Sequence, residues 1–378
     1  MRRPLVGIMS MQRIRNYGSF LQACGLRRLL ESLGCGVRFV DYRPGRCLVE
    51  SGKPSRLPRP VAKLAEALSG PGPLLAKLTY ANYKRRYDAR TWPLLGLPSE
   101  PDYATNGLDM LVIGSDEVFN CVQPNPNVGF SPDLFGASSD ARRTVAYAAS
   151  CGNTTATKLR EHGVADEIAD WLGALDAVSV RDENTASVVR ELAGVDPVRN
   201  LDPVLAWDFF GEEEIQASPV EGRYLIAYAY SGRLTGEECS ALRSYADKRR
   251  LRVVNVGGVQ GCCDEFLDLG PFEVLAAFRG AECVLTDTFH GTILSVIAER
   301  PFATVVRTEG YGNAEKLTDL LARLGLRDRV ASLPADFAGL LDVTPDWGPV
   351  RERIAEGRVA ARKYLTEQIT ASVGVGSI

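Results

Sequence analysis

The chain has 378 residues, 45% hydrophobic and 24% charged, with a formal net charge of −3. That length suits two packed domains, and the balance excludes both a disordered chain and a strongly basic nucleic-acid-binding one. The apolar run at residues 4–9 is too short for a signal-peptide core or a membrane span, which predicts a cytoplasmic location. Nine cysteines without a CxxC pair, and two histidines (His162 and His290) far apart in sequence, predict reduced thiols, no metal site and no cofactor.

Strand and helix signals alternate from the start. Residues 4–10 read as a strand and 19–33 as a helix, with Leu26, Leu29, Leu30 and Leu33 on one face and Gly34 as its stop. Residues 37–42 are the next strand. Between Arg43 and Arg90 stand eleven Lys or Arg against three acids, a local +8 that leaves −11 for the remainder. The stretch holds Pro44, Pro54, Pro58, Pro60, Pro71 and Pro73, ends in Lys84-Arg85-Arg86, and interleaves Tyr80, Tyr83, Tyr87 and Trp92. It reads as a basic insertion over about 43–106, either solvated or a peripheral contact for anionic lipid or a lipid-diphosphate acceptor. Its aromatic residues are of the type that settles at a membrane interface.

Short apolar runs at 110–113, 144–149 and 177–180 continue the first series of strands. A second series follows at 224–230, 253–256, 283–286 and 302–306, with helices at 235–249, 272–279 and 292–299 between them. Continuous apolar strands alternating with helices predict an α/β fold with parallel sheets buried on both faces. The division is an N-terminal Rossmann-like module (1–205), a C-terminal one (206–345) and a helix at 346–378 packing across both. The crevice between facing modules is the expected site.

Four segments carry candidate chemistry. TDTFHG at 286–291 lies between a strand and a helix, which places Asp287, Thr288 and His290 at a strand end and the amides of Gly291 and Thr292 at a helix start. Free amides and the positive end of a helix dipole suit phosphate or carboxylate, and a histidine there can exchange a proton near neutral pH. SVRDENTAS at 179–187 puts Arg181 and Asp182 past another strand, where a guanidinium fork fits an anion or forms an internal ion pair. GSDEVFN at 114–120 offers Asp116 as a base. NYGS at 16–19 forms the first turn after a strand and lacks the GxGxxG dinucleotide pattern; neither a Walker A sequence nor GxSxG occurs anywhere.

Together these segments resemble the polysaccharide pyruvyl transferase family. NYGSFLQACGL at 16–26 is similar to its opening NYG-x-x-LQ turn, and GSDEVFN to its GSDQVWN, with Glu117 and Phe119 replacing Gln and Trp. VAYAASCG at 145–152, which contains Ser150, then SVRDENTAS, LDPVL at 201–205 and the segment 271–302 match in order. The resemblance implies two Rossmann-like modules facing each other in the GT-B manner. It also implies transfer of the pyruvyl group of phosphoenolpyruvate, as a ketal, onto a sugar of a cell-surface polysaccharide or its precursor, possibly lipid-linked, with release of phosphate.

By that resemblance Asp116, Arg181 and His290 carry over as catalytic residues. His290 is then general acid or phosphate binder, Arg181 the donor's anchor and Asp116 a base. Asp287 orients His290 or caps the helix, and Asn16, Tyr17 and Gly18 face the acceptor, with Tyr17 stacking on a sugar ring. Some members carry Arg two positions before the histidine; here Thr288 stands there, so Arg307 or Lys316 is expected to supply the cation. The alternatives are a GT-B glycosyltransferase using a nucleotide sugar and a non-catalytic sugar-binding homologue.

Overall fold

The computed structural model describes residues 2–49, 72–212, 215, 217–307 and 314–374. In chain order the first module runs β1 (Leu5–Met9), α1 (Tyr17–Ser32), β2 (Gly36–Phe39), α2 (Leu74–Thr91), β3 (Met110–Ile113), β4 (Thr144–Ala146), α3 (Ala156–Glu161), α4 (Ala165–Ala174), β5 (Ser179–Val180), α5 (Glu183–Ala193), β6 (Val198–Arg199) and α6 (Pro203–Ala206). Its sheet has the order β2-β1-β3-β4, and single bridges from Val145 to Ala177 and from Ala149 to Val180 attach the β5-β6 pair. Val6, Ile8, Met110 and Val112 are inaccessible to solvent, as strands covered on both faces require.

The second module runs β7 (Tyr224–Tyr228), α7 (Gly236–Arg249), β8 (Arg252–Val256), β9 (Glu265–Phe266), α8 (Pro271–Gly280), β10 (Cys283–Thr286), α9 (Phe289–Ile297), β11 (Phe302–Val305), α10 (Ala314–Leu324), β12 (Val330–Ala331), α11 (Phe337–Asp342) and α12 (Trp347–Val373). Its six strands lie in the order β12-β11-β10-β7-β8-β9, all parallel, which is the doubly wound Rossmann order. The order reverses between β7 and β10 here and between β1 and β3 in the first module. Each reversal leaves a crevice past the carboxyl ends of its strands.

Apolar packing joins the modules. Phe20 of α1 meets Phe272 of α8 edge-on with ring centroids 6.0 Å apart. α12 stacks Trp347 on Phe302 of β11, and farther along donates from the Tyr364 hydroxyl to the Ala146 carbonyl of β4 at 2.8 Å.

The basic insertion is corrected in part. Residues 50–71 lie outside the described residues, but α2 is no solvated appendage. Tyr83 and Tyr87 are buried, Tyr80 and Tyr83 pack on Phe266 of the second module at 5.0 and 5.4 Å, and Arg90 pairs with Asp268 and Glu273. These aromatics are core residues of the seam between modules, because covering β9 removes more apolar surface from water than an exposed position would. Trp92 lies under the Arg13 guanidinium, 4.7 Å from its ring centroid.

Candidate active site

The first wall is built from α1 and the turn after β3. Asn16 stands in extended backbone and caps α1, its Oδ1 accepting from the Gly18 amide at 2.7 Å. Its Nδ2 donates to the Tyr230 hydroxyl of the second module at 3.0 Å. One turn on, Ser19 donates to Asp116 Oδ2 at 2.7 Å, and Gln22 Oε1 accepts from the Ser115 amide at 3.1 Å. The NYGSFLQ and GSD segments are thus bonded to each other. Asp116 holds φ at +72°, a left-handed conformation that Asp tolerates better than most residues.

Arg181 sits beneath this wall with its side chain 2% exposed. Its Nη1 donates to Asp202 Oδ2 at 2.9 Å, Asp116 and Asp182 lie at 3.7 and 3.9 Å, and the guanidinium stacks 4.2 Å above the Phe289 ring. Burial alone would lower its pKa, but the carboxylates, Asp202 foremost, raise it further. The internal ion pair that the sequence offered as the other reading is present. Nη1 of the fork is engaged by Asp202, while the buried Nε has no hydrogen-bond partner among the described residues and Asp116 and Asp182 stand beyond hydrogen-bond distance.

His290 opens α9, and its ring lies against α1 of the opposite module. A Cβ at Gly18 would fall 2.1 Å from His290 Nδ1, so glycine at that position is what lets the imidazole approach. His290 Nε2 stands 3.6 Å from Asp202 Oδ2. Burial would raise the Asp202 carboxyl, yet His290 and Arg181 hold it down at about 2. Asp202, from the LDPVL segment, faces the histidine at a distance beyond a direct hydrogen bond.

Asp287 does not cap the helix as expected. Fully buried, it lies 2.9 Å from Arg233 Nε and 3.7 Å from Arg307 Nε, and burial raises its pKa despite both cations. Arg307 is held mainly by Glu238, at 2.7 and 2.8 Å. The helix cap is Thr288, whose Oγ1 accepts from the Gly291 amide at 2.9 Å while its carbonyl accepts from the Thr292 amide at 3.1 Å. Those two amides are spent inside the helix, so they offer nothing to an anion. Gly291 is required because a Cβ would fall 2.1 Å from Thr286 Oγ1. Lys316 crosses from α10 to pair with Glu117, whose carboxyl, raised by burial, is pulled down to about 2 by Lys316 and Arg181.

A cavity of about 1240 Å³ separates the walls, at the switch points of both sheets. Of the predicted residues, Asn16, Asp116, Arg181, Asp287, Thr288, His290 and Lys316 line it. Tyr17, Gly18, Ser150, Gly291, Thr292 and Arg307 stand behind the lining. Tyr17 does not face an acceptor: it is buried, donates to the Leu269 carbonyl at 2.8 Å and packs against Tyr83 and Tyr87. Ser150 is equally buried and donates to Asp182 at 2.6 Å. Sequence reasoning passed over Asp202, Arg233, Tyr230 and Glu117 as functional residues. Only Asp202 and Glu117 lay in recognised segments, and the loop holding Tyr230 and Arg233 has no local signature. Among the described residues no group of three or more His, Cys, Asp or Glu side chains is placed to hold a metal ion.

Two facing Rossmann modules with a cavity at both switch points define the architecture of the GT-B glycosyltransferases and related epimerases. A Listeria monocytogenes protein assigned as a UDP-N-acetylglucosamine 2-epimerase aligns over 98% of this chain and 97% of its own at 12% identity, with a TM-score of 0.51. CalG4, the calicheamicin glycosyltransferase, aligns over 100% of both chains at 15% identity and a TM-score of 0.44. An O-GlcNAc transferase mutant from Thermobaculum terrenum covers 98% of this chain, which spans 66% of that one, at 16% identity and a TM-score of 0.42. No curated protein sequence matches the chain. The family model for polysaccharide pyruvyl transferases matches residues 16–308, and the chain belongs to that family. It is a transferase of polysaccharide biosynthesis.

Proposed function

We propose that the cavity takes phosphoenolpyruvate as donor and forms a pyruvyl ketal on a sugar, releasing phosphate. The observation that carries this reading is His290, seated against Gly18 and beside Asp202 in the wall of a cavity lined by both modules. Balance requires a proton on C3 of the donor, attack of one sugar hydroxyl at C2, cleavage of the C2–O bond to phosphate, and closure by a second hydroxyl. Of the two hydroxyl protons one ends on C3 and the other on phosphate. His290 serves as general acid beside the Asp202 carboxylate, and Asp116 on the opposite wall receives a hydroxyl proton.

Donor anions fall to the second module. Arg233 and Lys316 line the cavity with side chains 19% and 18% exposed, against 2% for Arg181. A cation with an exposed face can exchange a carboxylate for a phosphate, whereas a buried one cannot. No nucleotide or metal is assigned a role in this reading. The test incubates the protein with phosphoenolpyruvate and a panel of sugars, glycosides and lipid-linked saccharides. Phosphate release that depends on the sugar, with a product heavier by one pyruvyl ketal, is the expected result. Donor-independent turnover of a nucleotide sugar would refute it.

A further inference from the structure

The outer face of α2 takes no part in the site or the seam. Its inner face is spent on Phe266, as described, while Leu74, Leu75 and Leu78 are 63%, 75% and 48% exposed. Lys84, Arg85 and Arg86 follow, all exposed. At 100° per residue Leu74, Leu78 and Arg85 fall on one stripe, with Leu75 and Arg86 beside it. The helix therefore presents leucines at its amino-terminal half and arginines at the other, on one side. Arg85 donates to Asn82 at 3.0 Å and Lys84 lies 4.6 Å over the Tyr80 ring; none of the three basic residues is ion-paired with a described acid. Most other arginines of the protein are ion-paired.

We propose that this face docks on an anionic lipid membrane, the leucines entering the headgroup boundary and the basic residues meeting lipid phosphates. Charge selects this occupant. The face carries Lys84, Arg85 and Arg86, exposed and not ion-paired with a described acid, on a chain of net charge −3. A second copy docked by a two-fold axis would set Arg85 and Arg86 against the same arginines if the helices ran parallel, or against the leucines if antiparallel, and neither offers the arginines an anion. A polyanion without an apolar layer would leave the leucines in water. Lipid satisfies both halves of the face. The same helix reaches the cavity at its other end, where Asp88 and the following Trp92 line it. Leu75 and Asp88 are thirteen residues apart, so the docked leucines sit about 20 Å along the helix from the cavity wall. That reach places the cavity within range of a sugar carried on lipid.

The experiment is co-sedimentation of the full chain with vesicles of phosphatidylcholine alone and of phosphatidylcholine with phosphatidylglycerol. Binding is expected only to the anionic vesicles, weakening as salt is raised. Each basic residue beside such a surface contributes about fivefold in affinity, so K84Q/R85Q/R86Q together should bind about a hundredfold more weakly. L74S/L75S/L78S should also lose binding, and circular dichroism checks that both variants stay folded. Absence of binding by the parent protein, equal binding to zwitterionic vesicles, or full retention by the leucine variant would each overturn the proposal. So would a dimer that the leucine variant dissociates while vesicles leave the parent unbound. The proposal stands independently of the donor assignment, because vesicle binding is read without turnover.

Discussion

The two walls of the cavity hold similar numbers of charges and treat them differently. On the first wall Arg181 is buried among Asp202, Asp116 and Asp182, and His290 reaches across from the second module to the same Asp202. On the second, Arg233 and Lys316 keep one face toward the cavity and pair with Asp287 and Glu117. A guanidinium buried among carboxylates in low dielectric fixes geometry. Separating it costs more than any ligand returns. A partly exposed cation has weaker hold on its partner and can trade it for an incoming anion. On the proposed function, the first wall is expected to position and the second to bind.

Breaking the cluster around Asp202 should give the largest effects. His290→Ala is expected to lower kcat for sugar-dependent phosphate release by about 10²–10⁴ while leaving the circular dichroism spectrum unchanged. Unaltered turnover would remove His290 from the chemistry. Arg181→Met leaves three buried carboxylates without their cation, and it should destabilise the fold by about 3–5 kcal/mol, measured by denaturant unfolding. A stable Arg181→Met protein whose sole defect is a raised KM for phosphoenolpyruvate would reverse the assignment of the walls.

The second wall should respond in affinity. Arg233→Gln and Lys316→Gln are each expected to raise the KM for phosphoenolpyruvate about 10–100-fold, the weight of one charge-assisted hydrogen bond; Lys316→Gln should change Tm little, whereas Arg233→Gln should also lower it, because buried Asp287 loses a cation. Glu117→Gln should act in the opposite sense and more weakly. It releases Lys316 from its carboxylate, so the KM for the donor should fall by a few-fold.

The same variant tests the electrostatics through pH. Glu117 and Asp202 sit at about 2, against ordinary values of 4.5 and 3.8, so their ionised forms favour the fold. That stability is present above the ordinary carboxylate range and is lost as pH falls through about 2. Glu117→Gln has no such proton to take up. Its Tm should therefore fall less steeply than the parent's between about pH 5 and pH 2.

Sequence periodicity by itself determined the succession of buried strands and amphipathic helices, because a strand covered on both faces must be apolar throughout and a helix on one stripe. It also placed Asp116, Arg181 and His290 at strand ends, since strand, polar turn and helix follow one another in the chain. Tertiary structure alone decided which charges meet. Asp202 lies 88 positions from His290 in the chain, and Glu117 lies 199 from Lys316. No local pattern encodes either distance. The Tyr17 ring and the α2 aromatics show the same limit. A tyrosine beside a polar turn or among basic residues has the composition of a binding surface, yet these are buried because the second module arrives to cover them. Burial is a property of what packs against a residue, and that partner is often far away in sequence.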